Sequence, residues 1–191
     1  MSVPVLFLYL LNFVLFITMP IYFFRKDGAF NVKWWLTSLP LGLCPAALAV
    51  AWAAKLVPYL PGSWVGPSEL VAVGLSAASL CLLFYTLGTH RVPLSLWHQS
   101  NDAPRYIVTE GAYRRIRHPF YTSYLLAFAG AVVLFPHWMT ITLAIYACVV
   151  LNVTAAREER RLATSEYGAQ YRQYMARTGR FVPGLRRCSA P

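Results

Sequence analysis

The sequence predicts an all-α integral membrane protein of about five transmembrane helices, the last two a short helical hairpin, followed by a cytosolic amphipathic C-terminal helix. Hydrophobic residues make up 58% of the 191 positions and charged residues only 13%, a balance unlike that of soluble domains. The apolar residues also gather into five blocks, each close to the roughly 20 residues that cross a hydrocarbon core at ~1.5 Å per residue. A third observation is the placement of the +10 formal charge, almost all of which falls between alternate pairs of blocks.

The first block, residues 3–24, has no basic stretch before it and no small-residue cleavage site leading into a polar domain, so it predicts a retained first span. The second, 34–54, carries Pro40 and Pro45, which with Pro20 of the first block can bend their helices. A turn-rich connection, 58–63, leads to the third block, 70–88. Trp34, Trp35 and Trp64 fall where interfacial aromatics are expected. The fourth block, 119–135, is the shortest, and only Pro136 and His137 separate it from the fifth, 138–156, which predicts a tight helical hairpin. Beyond Ala156, Ala163, Tyr167, Tyr171, Tyr174 and Met175 recur at spacings of three and four, an amphipathic helix in which Gly168 marks a potential break. The chain thus divides into three simple spans (1–89), a polar-rich half (90–183) and a short tail (184–191).

Sixteen of the 17 Lys and Arg residues lie on one side of this arrangement. Arg25, Lys26 and Lys33 follow the first block, five arginines from Arg91 to Arg117 follow the third, and eight from Arg157 to Arg187 follow the fifth. Lys55 alone falls on the other side. The distribution predicts an N-terminus outside and a C-terminus in the cytosol. It also accounts for the basic charge without nucleic acid, leaving anionic lipid heads as its natural contact. Cys44, Cys81 and Cys148 lie in apolar blocks, and Cys188 has no prenylation-type neighbours, so the cysteines predict no disulfide framework and no metal site.

The chemistry concentrates at the two ends of the hairpin sequence. Pro119 suits the first turn of a helix, which places His118 at its N-cap beside Arg114, Arg115 and Arg117. Free first-turn amides, the helix dipole and these cations predict a seat for a carboxylate or phosphate. The fifth block closes with Arg157, Glu158, Glu159, Arg160 and Arg161, where adjacent acids oppose the dipole unless they meet cations. A local Glu158–Arg161 pair is one resolution. Because the hairpin link is so short, His118 and the two glutamates are expected to face each other across one pocket, with a cationic half and an anionic half suited to a zwitterionic nucleoside.

The ordered set Gly111-x-Tyr113, Arg117-His118-Pro119-x-Tyr121, a hydrophobic hairpin, Glu158-Glu159, and Tyr171 through Arg180-Phe181-Val182-Pro183 resembles the isoprenylcysteine carboxyl methyltransferase family. More widely it is similar to phospholipid methyltransferases. The resemblance covers residues 85–183 and implies a membrane enzyme that moves a methyl group from S-adenosylmethionine to a lipid-like or prenylated acceptor. Carried over position by position, it implies that His118 and Tyr121 line the cofactor site, that Glu158 and Glu159 close it, and that Gly111, Tyr113, Arg117 and Pro119 shape its wall. Ser123 stands where the family usually has glycine. A carboxylate acceptor is already ionised at neutral pH and needs no general base, only a cation to orient it, for which Arg180 and Arg157 are the candidates. The alternatives are methylation of a phospholipid amine or a small thiol, a nicotinamide-dependent reductase of the sterol type, and a non-enzymatic transporter.

Overall fold

The computed structural model describes residues 1–24, 32–89 and 107–184, and the side chains of 19–24 and 32–35 are not described. Arg25, Lys26, Lys33, Arg91, Arg105, Arg186, Arg187, Trp34, Trp35 and Cys188 therefore lie outside the described residues or their described side chains. Among the described residues six α-helices follow in order: α1 (Val3–Phe24), α2 (Val32–Ala53), α3 (Val65–Thr89), α4 (Pro119–Leu134), α5 (Trp138–Ala163) and α6 (Gly168–Arg177). Two short 3₁₀ turns, Gly62–Trp64 and Gly111–Arg114, precede α3 and α4. Among the described residues there is no strand, which agrees with the all-α expectation.

By length and apolarity, Leu36–Ala53, Gly62–Thr89 and Trp138–Ala163 are long enough to cross a membrane, while Val3–Thr18 and Pro119–Leu134 are shorter apolar helices. The helices alternate in direction. Tyr59 N donates to Pro136 O at 2.7 Å and Ser2 Oγ to Glu69 Oε2 at 2.8 Å, so the N-terminus, the α2–α3 connection and the α4–α5 turn share one end. Thr89 meets the Gly111 turn at the other end, where Ala112 N approaches Thr89 Oγ1 at 3.5 Å.

The core forms because α1 and α4 bring aromatic faces together. Phe13 packs edge-on to Phe128 at 5.2 Å between ring centres, and Phe16 to Tyr124 at 4.6 Å, geometries favoured by the ring quadrupole. The α3–α4 contact is the most extensive and is built from small residues. Ala72, Ser76 and Ser79 of α3, spaced like a helical stripe, are fully buried, as are Ala127 and Ala131 of α4. Such close approach lets side chains reach backbone on the neighbouring helix, and Ser79 Oγ donates to Ser123 O at 2.7 Å. Ser123 turns its own hydroxyl back onto Phe120 O at 2.7 Å, so the serine in place of glycine is accommodated without opening the helix pair. Gly130 is needed for the same reason: a Cβ there would strike the Tyr9 hydroxyl, which donates to Ala72 O at 2.7 Å.

α5 runs for 26 residues to Ala163 and carries in its last turns the charged residues that close the fifth block. One expectation needs correction. The break in the tail falls before Gly168, not at it. Gly168 opens α6, where a Cβ would collide with Ala163 O, and Arg172 Nη1 caps that carbonyl at 2.7 Å. α6 is thus a ten-residue helix that buries Tyr171 and Tyr174 against the end of α5.

Candidate active site

α4 has only 16 residues, about 24 Å at ~1.5 Å per residue, whereas α5 has 26. Joined at one end by residues 135–137, they leave the last turns of α5 extending past the first turn of α4 at the other. This offset leaves a step at the mouth of the hairpin, the recess, where the segment 178–184 packs on the entrance to α4 and reaches Glu159 of α5.

The entrance to α4 is held by backbone. Gly111 adopts φ +54, a conformation glycine tolerates, and a Cβ would collide with the Thr89 side chain. Tyr113 is buried behind it, and its carbonyl accepts from Tyr174 Oη at 2.6 Å. Ile116 then pairs in parallel with Gly179. Arg117 N donates to Gly179 O at 2.8 Å, His118 N to Arg180 O at 3.1 Å, and Gly179 N to Arg115 O at 3.1 Å. Thr122 Oγ1 adds a bond to Phe181 O at 2.8 Å. His118 is the N-cap residue of α4 and Pro119 follows in its first turn, so the Arg117–Pro119 sequence is fixed from both sides.

The hairpin brings His118 to both glutamates. Its Nδ1 lies 3.5 Å from Glu158 Oε2 and its Nε2 3.4 Å from Glu159 Oε1. The ring stacks parallel on Tyr121 at 5.3 Å, and Phe181 tilts against it at 6.1 Å. Although Nε2 is close to Glu159, the approach lacks hydrogen-bond direction, and this buried nitrogen has no hydrogen-bond partner among the described residues. Tyr121 Oη donates to Glu158 Oε1 at 2.7 Å.

The two carboxylates differ in their partners. Glu159 is buried and accepts from Arg117 Nε at 2.9 Å and from Arg180 Nη2 at 2.5 Å. Arg117 Nη1 further donates to the carbonyls of Met175, at 3.2 Å, and Thr178. Glu158 meets Tyr121 and His118 but pairs with no Arg or Lys among the described residues. Burial pushes the phenols of Tyr113 and Tyr171 up, with Tyr174 and Glu158 adding at Tyr113 and Glu159 adding at Tyr171, so both stay neutral beside the carboxylates.

The predicted cationic seat is therefore not built as expected. Arg117 turns away from the N-terminus of α4 to neutralise Glu159, the segment 178–184 takes the neighbouring amides, and Arg114 and Arg115 are exposed. No Glu158–Arg161 pair forms among the described residues, because Glu158 faces His118 across the hairpin. Of the two cations considered for an acceptor, Arg180 joins the cluster, while Arg157 is exposed on α5 and makes no ion pair among the described residues. Asn152, not singled out from the sequence, accepts from Arg180 Nη1 at 2.7 Å. Its signal was there: a carboxamide in an otherwise apolar block, two turns before Glu159 on the same face.

Comparison with known proteins adds one finding. The model of the phospholipid methyltransferase family matches residues 70–170, from α3 into α6, and so includes His118, Tyr121, Glu158 and Glu159 but not the segment 178–184. No curated protein matches the chain. The match covers more than half of the sequence and falls on the helices that form the recess, and the chain belongs to the phospholipid methyltransferase family, membrane methyltransferases that act on lipid-like substrates and generally use S-adenosylmethionine.

Proposed function

We propose that the recess at the mouth of the α4–α5 hairpin holds S-adenosylmethionine, and that the chain transfers its methyl group to the carboxylate of an isoprenylcysteine or a similar lipid-like acid. The observation that carries this reading is the contrast between the two glutamates. Glu159 is spent on Arg117 and Arg180, whereas among the described residues Glu158 has only a phenol and an imidazole as partners. A carboxylate without a cation suits the ammonium or ribose hydroxyls of the cofactor. Nε2 of His118, near Glu159 but without a hydrogen bond among the described residues, offers a further polar contact, so the residues present fit the group. Gly111, Tyr113, Arg117 and Pro119 hold the wall in shape.

When bound, the cofactor supplies an electrophilic methyl on a sulfonium. The protein's part is positioning and exclusion of water, which supply most of the barrier reduction in a direct displacement. Tyr121 and Phe181, both packed against His118, make the recess apolar around its polar contacts. Arg180 orients the acceptor. The cation distribution supports an N-terminus outside and a cytosolic recess.

A second acceptor, the amine head group of a phospholipid, is equally consistent with the family match. The two differ in pH dependence. A carboxylate acceptor predicts a rate flat above about pH 6, while an amine must first lose a proton and predicts a rate rising towards alkaline pH. Purified protein incubated with labelled S-adenosylmethionine and a panel of prenylcysteines, phospholipids and thiols, followed by mass spectrometry, identifies the methylated product. Binding of NADPH without binding of S-adenosylhomocysteine overturns the reading.

A further inference from the structure

Positions 145, 149, 152 and 156 of α5 share one helical face. Ile145 and Val149 are 59% and 56% exposed, as suits a surface turned to lipid. Asn152 interrupts that face with an exposed carboxamide, which is costly beside hydrocarbon unless partnered. Its partner is Arg180, whose Nη1 donates to Asn152 Oδ1 at 2.7 Å. The opposite edge of the same guanidinium grips Glu159, with Nε 3.2 Å from both oxygens and Nη2 2.5 Å from Oε2. Arg180 therefore lies along α5 between Glu159 and Asn152, and its side chain is 32% exposed.

Two features make this flank more than a structural tie. Arginine has five N–H donors, and among the described residues Arg180 uses its Nε and one hydrogen on each terminal nitrogen, so one N–H remains on Nη1 and one on Nη2. Charge is also left over. Arg117 and Arg180 share the carboxylate of Glu159, and among the described residues Glu158 meets Tyr121 and His118 but neither guanidinium, so these three directly paired side chains sum to one positive charge, and Asn152 completes the coordination of Arg180 without cancelling it. An aspartate at 152 would cancel it.

The geometry points to a head-group site here: an oxyanion of the amphiphilic acceptor, a carboxylate or a phosphodiester, docks on Arg180 at the exposed flank of α5. Asn152 is a positioning residue that holds the guanidinium towards the lipid, and the acceptor enters from this side with its tail along the apolar face. The assignment rests on the methyltransferase reading in taking the oxyanion to be the acceptor's.

The test uses full-length protein in neutral detergent micelles and two matched pairs of amphiphiles: N-acetyl-S-farnesylcysteine against its methyl ester, and phosphatidylethanolamine against diacylglycerol. The parent is expected to bind the oxyanion member of at least one pair about tenfold or more tighter, the factor one charge-assisted hydrogen bond supplies. Which pair shows it distinguishes carboxylate from phosphodiester. Asn152→Asp should abolish that preference and Asn152→Gln should largely keep it, with S-adenosylhomocysteine affinity within about twofold of the parent in both, a factor worth under half a kcal/mol. If Asn152→Asp does not fold, Asn152→Leu replaces it and should reduce the preference severalfold. No preference in the parent, or a preference unchanged in Asn152→Asp or its replacement Asn152→Leu, overturns the site. Failure of the parent to bind S-adenosylhomocysteine sinks the methyltransferase reading instead, and the amphiphile preference still reports on the flank by itself.

Discussion

The two ends of the α4–α5 hairpin use the same pair of helices in opposite ways. At the turn, polar groups are satisfied largely by the turn itself and by Tyr59, and residues 135–140 make no ion pair among the described residues. Thr140 Oγ1 donates to Phe135 O at 2.6 Å, His137 forms a capping box with Thr140, and Tyr59 stacks on His137 at 5.1 Å. At the open end, partners come from far along the chain: Arg117 and Arg180 converge on Glu159, Tyr121 reaches Glu158, and one buried nitrogen has no hydrogen bond among the described residues. Buried polar groups are normally all paired, and breaking a buried ion pair is far more disruptive than losing a neutral bond. One end is thus arranged for stability, while the other keeps a costly, incompletely satisfied cluster that local folding does not require.

Substitutions at the two ends can break or sharpen this contrast. The largest effect is expected for Glu159→Ala, which strands two guanidinium groups in the recess. It should destabilise the protein by about 3–5 kcal/mol and abolish binding of S-adenosylhomocysteine, as followed by thermal unfolding in detergent and by calorimetry. Gly111→Ala forces a side chain into a positive-φ turn and against Thr89. A loss of about 1–3 kcal/mol is expected from the strain, with weaker ligand binding because the turn leads directly into Arg117 and His118. At the turn end, Thr140→Val should cost about 1 kcal/mol and leave S-adenosylhomocysteine affinity unaltered; a large change in affinity there would show that the two ends are not separable. Tyr121→Phe should cost about 1 kcal/mol or less, because Glu158 is only part-buried and water can replace the phenol, yet weaken ligand binding severalfold by freeing Glu158 from its phenol.

Much of this was legible in the sequence, for identifiable reasons. The helices follow from apolar block length, which lipid enforces. The meeting of His118 with Glu158 and Glu159 follows from a link too short to let the helices diverge. The fate of Arg117 was not legible. A sequence places a cation near a helix end but does not say which carboxylate it will turn to, and its partner carbonyls in Met175 and Thr178 leave no mark on residue type. The pairing of Ile116 with Gly179 is similarly silent, because it is made by backbone. Gly168 misled because glycine opens a helix as readily as it interrupts one, and the collision that demands it lies with Ala163 O, a tertiary fact. Asn152 was visible as a lone carboxamide in an apolar block, but its meaning needed the position of Arg180.

The central claim is that the open end of the hairpin binds the methyl donor through groups the fold itself leaves unused. Titration of S-adenosylhomocysteine into His118→Ala and Glu158→Gln, with unfolding temperatures recorded for the same samples, tests it most directly. The account predicts unfolding within a few degrees of the parent and affinity reduced at least about tenfold in each variant. Parent-like affinity in both folded variants would contradict it.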